Sequence, residues 1–146
     1  MHFQEMSYPP TLSESLHPAV SSIVSFDWVA ACASCRRICI NCADACLGES
    51  GERSLRACIR LNMDCAEICE TASRAALRLF ESDPERMMAH IEACAKTCER
   101  CGAECERFAA YQEQCRVCAE ECKRCEQACR RLLAKLVEQI DLPLAA

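Results

Sequence analysis

The chain has 146 residues, enough for one domain that buries a core without disulfide staples. Its net charge is −5, with 17 basic and 22 acidic residues spread along it, so no basic block marks a nucleic-acid surface and no acidic run marks a disordered tail. Gly (3) and Pro (5) are scarce, which favours helix, and no apolar run approaches the ~20 residues of a membrane span.

Residues 1–17 read as an N-terminal arm. Tyr8-Pro9-Pro10 is loose, and Thr11-Leu12-Ser13-Glu14 matches a capping box that opens a short helix to about His17. Residues 18–146 form the second unit. Pro18 suits the first turn of a helix over about 18–47, stopped by Gly48, and Ser50 caps the next one. Within this first helix Cys32, Cys35, Cys39, Cys42 and Cys46 step by three, four, three, four, and Trp28 continues the line. That rhythm puts all five on one face, where a coiled coil would carry Leu, along roughly 21 Å of helix.

A second helix is predicted over about 51–80, with Cys58, Leu61, Cys65, Ile68, Cys69, Ala72 and Leu79 turned inward and Asn62 on the margin. Asp83-Pro84 is an N-cap and N1 pair that starts a third helix, expected to reach about Phe108. It carries Met87 and Ile91 on the line of Cys94, Cys98, Cys101 and Cys105, and Gly102 allows a close approach. After a weakly marked turn near Ala109–Tyr111, a fourth helix runs over about 112–139, and Pro143 follows it. Cys115, Cys118, Cys122, Cys125 and Cys129 repeat the first stripe, which continues as Leu132 and Leu136.

Four long amphipathic helices with short connections imply an all-α, antiparallel up-down four-helix bundle with a short extra N-terminal helical segment. That topology gathers Trp28, Leu79, Met87, Ile91, Leu132 and Leu136 at one end as an apolar plug. Cys46, Cys58, Cys105 and Cys115 fall at the other. The expected object is a tube lined with thiols and closed by hydrocarbon at one end.

The 17 cysteines do not read as a disulfide scaffold. Their number is odd, and thiols at i, i+4 on one helix point the same way instead of converging. No basic n-region precedes Arg36, so no export signal is visible, and a reduced, cytoplasmic protein is expected. Nor do 17 sulfurs read as plain packing, because Cys is smaller than Leu and a core lined with it is thin and oxidisable.

Thiolates select soft ions. Zinc wants a tetrahedral knot and iron–sulfur clusters sit mostly in loops, whereas these ligands lie in rows on rigid helices. Cu(I) accepts two or three bridging thiolates, so a row can hold many ions, about one per cysteine. Replacing each thiol proton by one Cu(I) also leaves the interior's charge unchanged, while zinc on four thiolates would leave a buried −2. A zinc or mixed-metal thiolate buffer remains the alternative, as does a thiol-based redox protein. Against the last, the CxxC pairs are mid-helix and no βαβ pattern accompanies them, so no enzyme activity is expected.

The segments CASCRRICINCADAC (32–46), CIRLNMDCAEIC (58–69), CAKTCERCGAEC (94–105) and CRVCAEECKRCEQAC (115–129) resemble the bacterial copper storage proteins, in particular their cytosolic branch. The resemblance implies a four-helix bundle, a homotetramer, and all 17 cysteines as Cu(I) ligands, fed by a copper chaperone or a small-thiol donor. It departs in one place: cytosolic relatives often carry histidines between helices 3 and 4, and here that loop reads FAAYQEQC. His90, one turn before Cys94, and Met87 are further candidate ligands, the bland reading being a helix-surface imidazole and a core filler.

Overall fold

A computed structural model of the chain describes residues 27–49 and 52–141. It contains four helices: α1 (Asp27–Leu47), α2 (Glu52–Ser82), α3 (Pro84–Glu106) and α4 (Glu113–Asp141). The expected arm, its short helix, the helix start at Pro18, the Ser50 cap and Pro143 lie outside the described residues. None of the helices is long and apolar enough to cross a membrane.

Each helix packs on two neighbours, α1 on α2, α2 on α3, α3 on α4 and α4 back on α1, which closes a square bundle. The stripes face its axis because a three-four alternation keeps a residue on one side of a 3.6-residue helix. On α1 the buried line is Trp28, Cys32, Cys35, Cys39, Cys42 and Cys46, and α3 buries Met87, Ile91, Cys94, Cys98, Cys101 and Cys105. On α4, Cys115 through Cys129 give way to buried Leu132 and Leu136.

The connections are short. Gly48 follows the last residue of α1, and the Glu49 amide donates to the Cys46 carbonyl at 3.2 Å. Only Asp83 separates α2 from α3. Its Oδ1 accepts the Arg86 amide at 3.1 Å with Pro84 in the first turn, the cap and N1 arrangement expected from the sequence. At Gly102 an added Cβ would stand 3.3 Å from the Cys122 Cβ, so the missing side chain is what lets α3 lie close against α4.

Two expectations need correction. The third helix ends at Glu106, and the chain then turns tightly, with the Phe108 amide on the Cys105 carbonyl at 3.0 Å and the Gln112 amide on the Phe108 carbonyl at 2.9 Å. Phe108 is buried by this turn, beneath the Arg107 guanidinium 5.4 Å from its ring centre and edge-on to Tyr111. Leu61 and Ile68 are not lumenal either. They are half-buried and pack against the core from the flank of α2, because the axis is occupied by the line one helical step away. Leu61 and Ile68 line a shallow open groove with Asp64, Glu67, Thr97 and Arg100.

The outer surface carries ion pairs. Arg36–Glu70 (3.1 Å) joins α1 to α2 and Arg130–Glu99 (3.0 Å) joins α4 to α3, while pairs such as Lys96–Glu92 run within a helix. Exposed pairs of this kind contribute little, so the sulfur-lined interior carries the specificity of the fold.

Candidate metal centre

All 17 cysteines are unbridged, and none is more than 1% exposed. Their sulfurs meet across the axis. Cys46 and Cys115 stand 3.6 Å apart, Cys39 and Cys118 3.7 Å, Cys65 and Cys98 3.7 Å, Cys69 and Cys94 3.7 Å, and Cys58 and Cys105 3.7 Å. These are van der Waals separations between thiols that are weak donors and weak acceptors, so little hydrogen bonding is lost when a soft cation replaces a proton.

The sulfurs form fourfold groups whose members lie within 4.8 Å of one another, and the first four of the five named below share residues from one to the next. From the plugged end, Cys32, Cys69, Cys94 and Cys125 come first, followed by Cys35, Cys65, Cys69 and Cys98. Cys35, Cys39, Cys65 and Cys122 come next, and then Cys39, Cys101, Cys118 and Cys122. Cys42, Cys46, Cys58 and Cys115 form a group at the far end, and Cys105 adjoins it through Cys58. Cys69, Cys35, Cys65, Cys39 and Cys122 each belong to two groups, so an ion leaving one set of ligands is already touching the next.

Asn62 is the functional residue that the sequence reading misplaced. It is fully buried on the axis, not on the margin of α2. Its Nδ2 donates to the Cys58 carbonyl (2.8 Å), Cys105 Sγ (3.3 Å) and Cys58 Sγ (3.4 Å). Its Oδ1 accepts from Cys118 Sγ at 2.9 Å and Cys101 Sγ at 3.4 Å. The amide therefore stands between the fourth and fifth groups, with its hard donor side toward one and its acceptor side toward the other. The spacing held the signal: Cys58, Asn62, Cys65 and Cys69 step by four, three, four, as Cys94 to Cys105 do. The sparse stripe of α2 is complete once Asn62 is counted.

The plug is as expected in composition: Trp28, Met87, Ile91, Leu132 and Leu136 are buried, and Leu79 is half-buried. Met87 is wholly enclosed, His90 is half-buried, and Met63 is exposed. The five groups above consist of cysteine alone. His2 and His17 lie outside the described residues.

Among the described residues, no Lys or Arg enters the core. Besides Asn62 its buried polar member is Glu121, whose carboxylate is held by Arg124 at 2.9 Å. Burial pushes the Cys46 and Cys115 thiols up from their ordinary value, because a thiolate there loses water and gains no cation. Inside a group the thiols also act on one another. Hydrogen bonds from Cys125 and then Cys129 bring Cys32 down to about 6, while the same kind of contact, first with Cys125, pushes Cys69 up. The first proton to leave a group is helped by its neighbours' S–H bonds, and the remaining ones are held more tightly.

A family model described as "Copper storage protein" matches residues 24–134. Among solved structures, a cytosolic copper storage protein from Streptomyces lividans carrying five coppers is 42% identical with a TM-score of 0.75, covering 80% of this chain and 97% of that one. The same protein loaded with 10 copper equivalents is 41% identical with a TM-score of 0.72, covering 88% and 93%. A Cu(I)-bound copper storage protein is 32% identical with a TM-score of 0.63, covering 78% and 98%. An uncharacterised cysteine-rich protein of Bacillus subtilis is 37% identical over 71 residues, 49% of this chain, and the match spans 62% of that protein's length.

Proposed function

The chain belongs to the copper storage protein family, and from that premise we propose that it stores Cu(I) in the cytoplasm on the thiolates of all 17 cysteines, about one ion per cysteine. One observation carries the reading. The buried sulfurs form overlapping fourfold groups along the axis, with no cation among them to neutralise a divalent site.

Uptake is ligand exchange. A copper chaperone or small-thiol donor presents Cu(I) at the end holding Cys42, Cys46, Cys58 and Cys115, where Leu47 and Tyr111 are exposed, α1 and α3 end, and α2 and α4 begin. A protein thiolate displaces a donor thiolate, and the thiol proton leaves with it. From that end the ion passes Asn62, which touches Cys58 and Cys105 on one side and Cys101 and Cys118 on the other, and then moves inward along the groups that share sulfurs by replacing one bridging partner at a time. Each exchange trades one H⁺ for one Cu⁺, so filling adds no net charge to a dry interior, which is why a monovalent ion suits this core better than zinc. The task is binding and release, with no bond in a substrate to make or break.

Two further parts complete the reading. Met87 and His90, at i and i+3 of α3 and respectively two turns and one turn before Cys94, are offered as ligands for one additional copper at the plugged end. A homotetramer is proposed from the family resemblance. Its partners would meet through the outer helix faces, where Met63 and Val137 are exposed apolar residues.

The test is an anaerobic titration of reduced protein with Cu(I) against a Cu(I)-specific chelator. Copper withheld from the chelator up to about one ion per cysteine supports storage. Saturation at one or two ions would remove it. Zinc bound on purification at below one ion per two cysteines would favour the buffer reading.

A further inference from the structure

Among the described residues, side-chain N–H groups reach the core sulfurs at two places. One is Asn62. The other is at the opposite end, where the indole Nε1 of Trp28 donates to Cys129 Sγ at 3.2 Å, joining the first turn of α1 to α4. Trp28 is 2% exposed and is the only tryptophan in the chain. The hydrocarbon of Leu132, Leu136, Met87 and Ile91 shares that end.

We propose that Trp28 is a positioning residue for stored copper: its indole N–H holds the last sulfur of the α4 row, Cys129, and stabilises that sulfur selectively in its metal-bound form. The inference rests on the storage reading. Its physical basis is a difference between two states. In the empty protein the indole donates to a neutral thiol, a weak acceptor. In the filled protein Cys129 is a thiolate bound to Cu(I), so the net charge is balanced while the sulfur keeps more negative charge than a neutral thiol does, at a dry, apolar end. A hydrogen bond to an ionised acceptor is about twice as strong as one to a neutral acceptor. The contact therefore strengthens when metal arrives, and only such differential contacts shift occupancy. Phe or Leu would also close the end with hydrocarbon, but neither offers this donor.

The placement also settles which copper is affected. Cys32 lies one turn beyond Trp28 on α1, in the fourfold group with Cys69, Cys94 and Cys125, and Cys125 lies one turn before Cys129 on α4. The indole thus acts on the copper held deepest, farthest from Cys46 and Cys115. Stored ions at the plugged end are held more firmly than those at the other end, and release runs from the far end inward.

The experiment compares wild type with Trp28→Phe, which keeps an aromatic plug and removes the N–H. Both are loaded anaerobically and then challenged with a Cu(I) chelator. The slowest-released fraction is expected to be given up about tenfold more readily by the variant, the size of one charge-assisted bond. Cys129→Ala removes the acceptor, and in that background Trp28→Phe should cause no further change in copper release. A second readout needs no variant. The single indole ¹H–¹⁵N signal of wild type should move downfield when the last ions enter, as its acceptor becomes a thiolate. Identical release from wild type and Trp28→Phe, or an indole signal unmoved by filling, would overturn the inference. Wild-type protein that holds only one or two ions would instead overturn the storage reading itself.

Discussion

The thiol of Cys118 donates to Asn62 Oδ1 at 2.9 Å, joining α4 to α2 across the axis of the bundle. Together with the donation from Asn62 Nδ2 to the Cys58 carbonyl, this contact fixes the orientation of a fully buried amide inside a column of sulfur. Asn62→Ala removes both bonds and opens a void. The reduced, metal-free variant should be about 2–3 kcal/mol less stable, read from urea unfolding. A loss below about 0.5 kcal/mol would mean that the thiols repack around the gap and the amide is dispensable to the apo fold.

Storage spread over many ligands predicts graded losses. Cys→Ala at the shared positions Cys35 and Cys39 should lower copper capacity by about one ion each, with far-UV helicity retained, because Ala fits a lumenal position and favours helix. Cys46→Ala should do the same at the other end. Capacity falling to zero after any one substitution would be incompatible with a distributed store. Metal analysis after desalting gives the stoichiometry.

Alkaline pH should separate the empty protein from the full one. Burial raises the Cys46 and Cys115 thiols. Above the ordinary thiol value of about 8.5 the unfolded chain therefore loses protons that the folded chain keeps. Stability from these two groups is complete below that pH and declines as pH rises toward their folded values. Anaerobic unfolding at pH 7, 8, 9 and 10 should show a declining midpoint, with a shallower decline in the double variant Cys46→Ala/Cys115→Ala. The copper-loaded protein, whose thiols have already lost their protons, should be nearly flat.

Gly102→Val tests the close approach of α3 to α4. A Cβ there already meets Cys122 Cβ at 3.3 Å, and a branched side chain must push the helices apart. A cost of about 1–3 kcal/mol is expected, together with loss of copper from the group that includes Cys101 and Cys122. Thermal unfolding of the apo protein and the stoichiometry of the loaded one check the two parts independently.

Much of the bundle was readable because helix geometry is periodic. The three-four spacing of Cys32–Cys46 and Cys115–Cys129 fixes a face, and Asp83-Pro84 fixes a boundary to the residue. Asn62 was misread because hydropathy places an amide outside, whereas its spacing places it inside, and the spacing won. Leu61 and Ile68 failed in the opposite sense. Hydrophobicity drew them inward, but a helix has only one lumenal line, and Cys58, Asn62, Cys65 and Cys69 occupy it. The turn after Glu106 carries neither Gly nor Pro, so its geometry depends on Phe108 burying its ring, a tertiary event that local sequence does not announce. The Trp28–Cys129 bond joins residues 101 apart and is equally invisible in the linear chain.

The uniform stripe also makes the molecule a ruler. A three-four alternation gives each helix two lumenal positions per heptad, so four helices in register supply about eight ligands for every seven residues of length. Where cysteine fills those positions, capacity grows with length. Inserting one heptad into each helix would lengthen the column by about 10.5 Å and enlarge the store in proportion, with no new site to design.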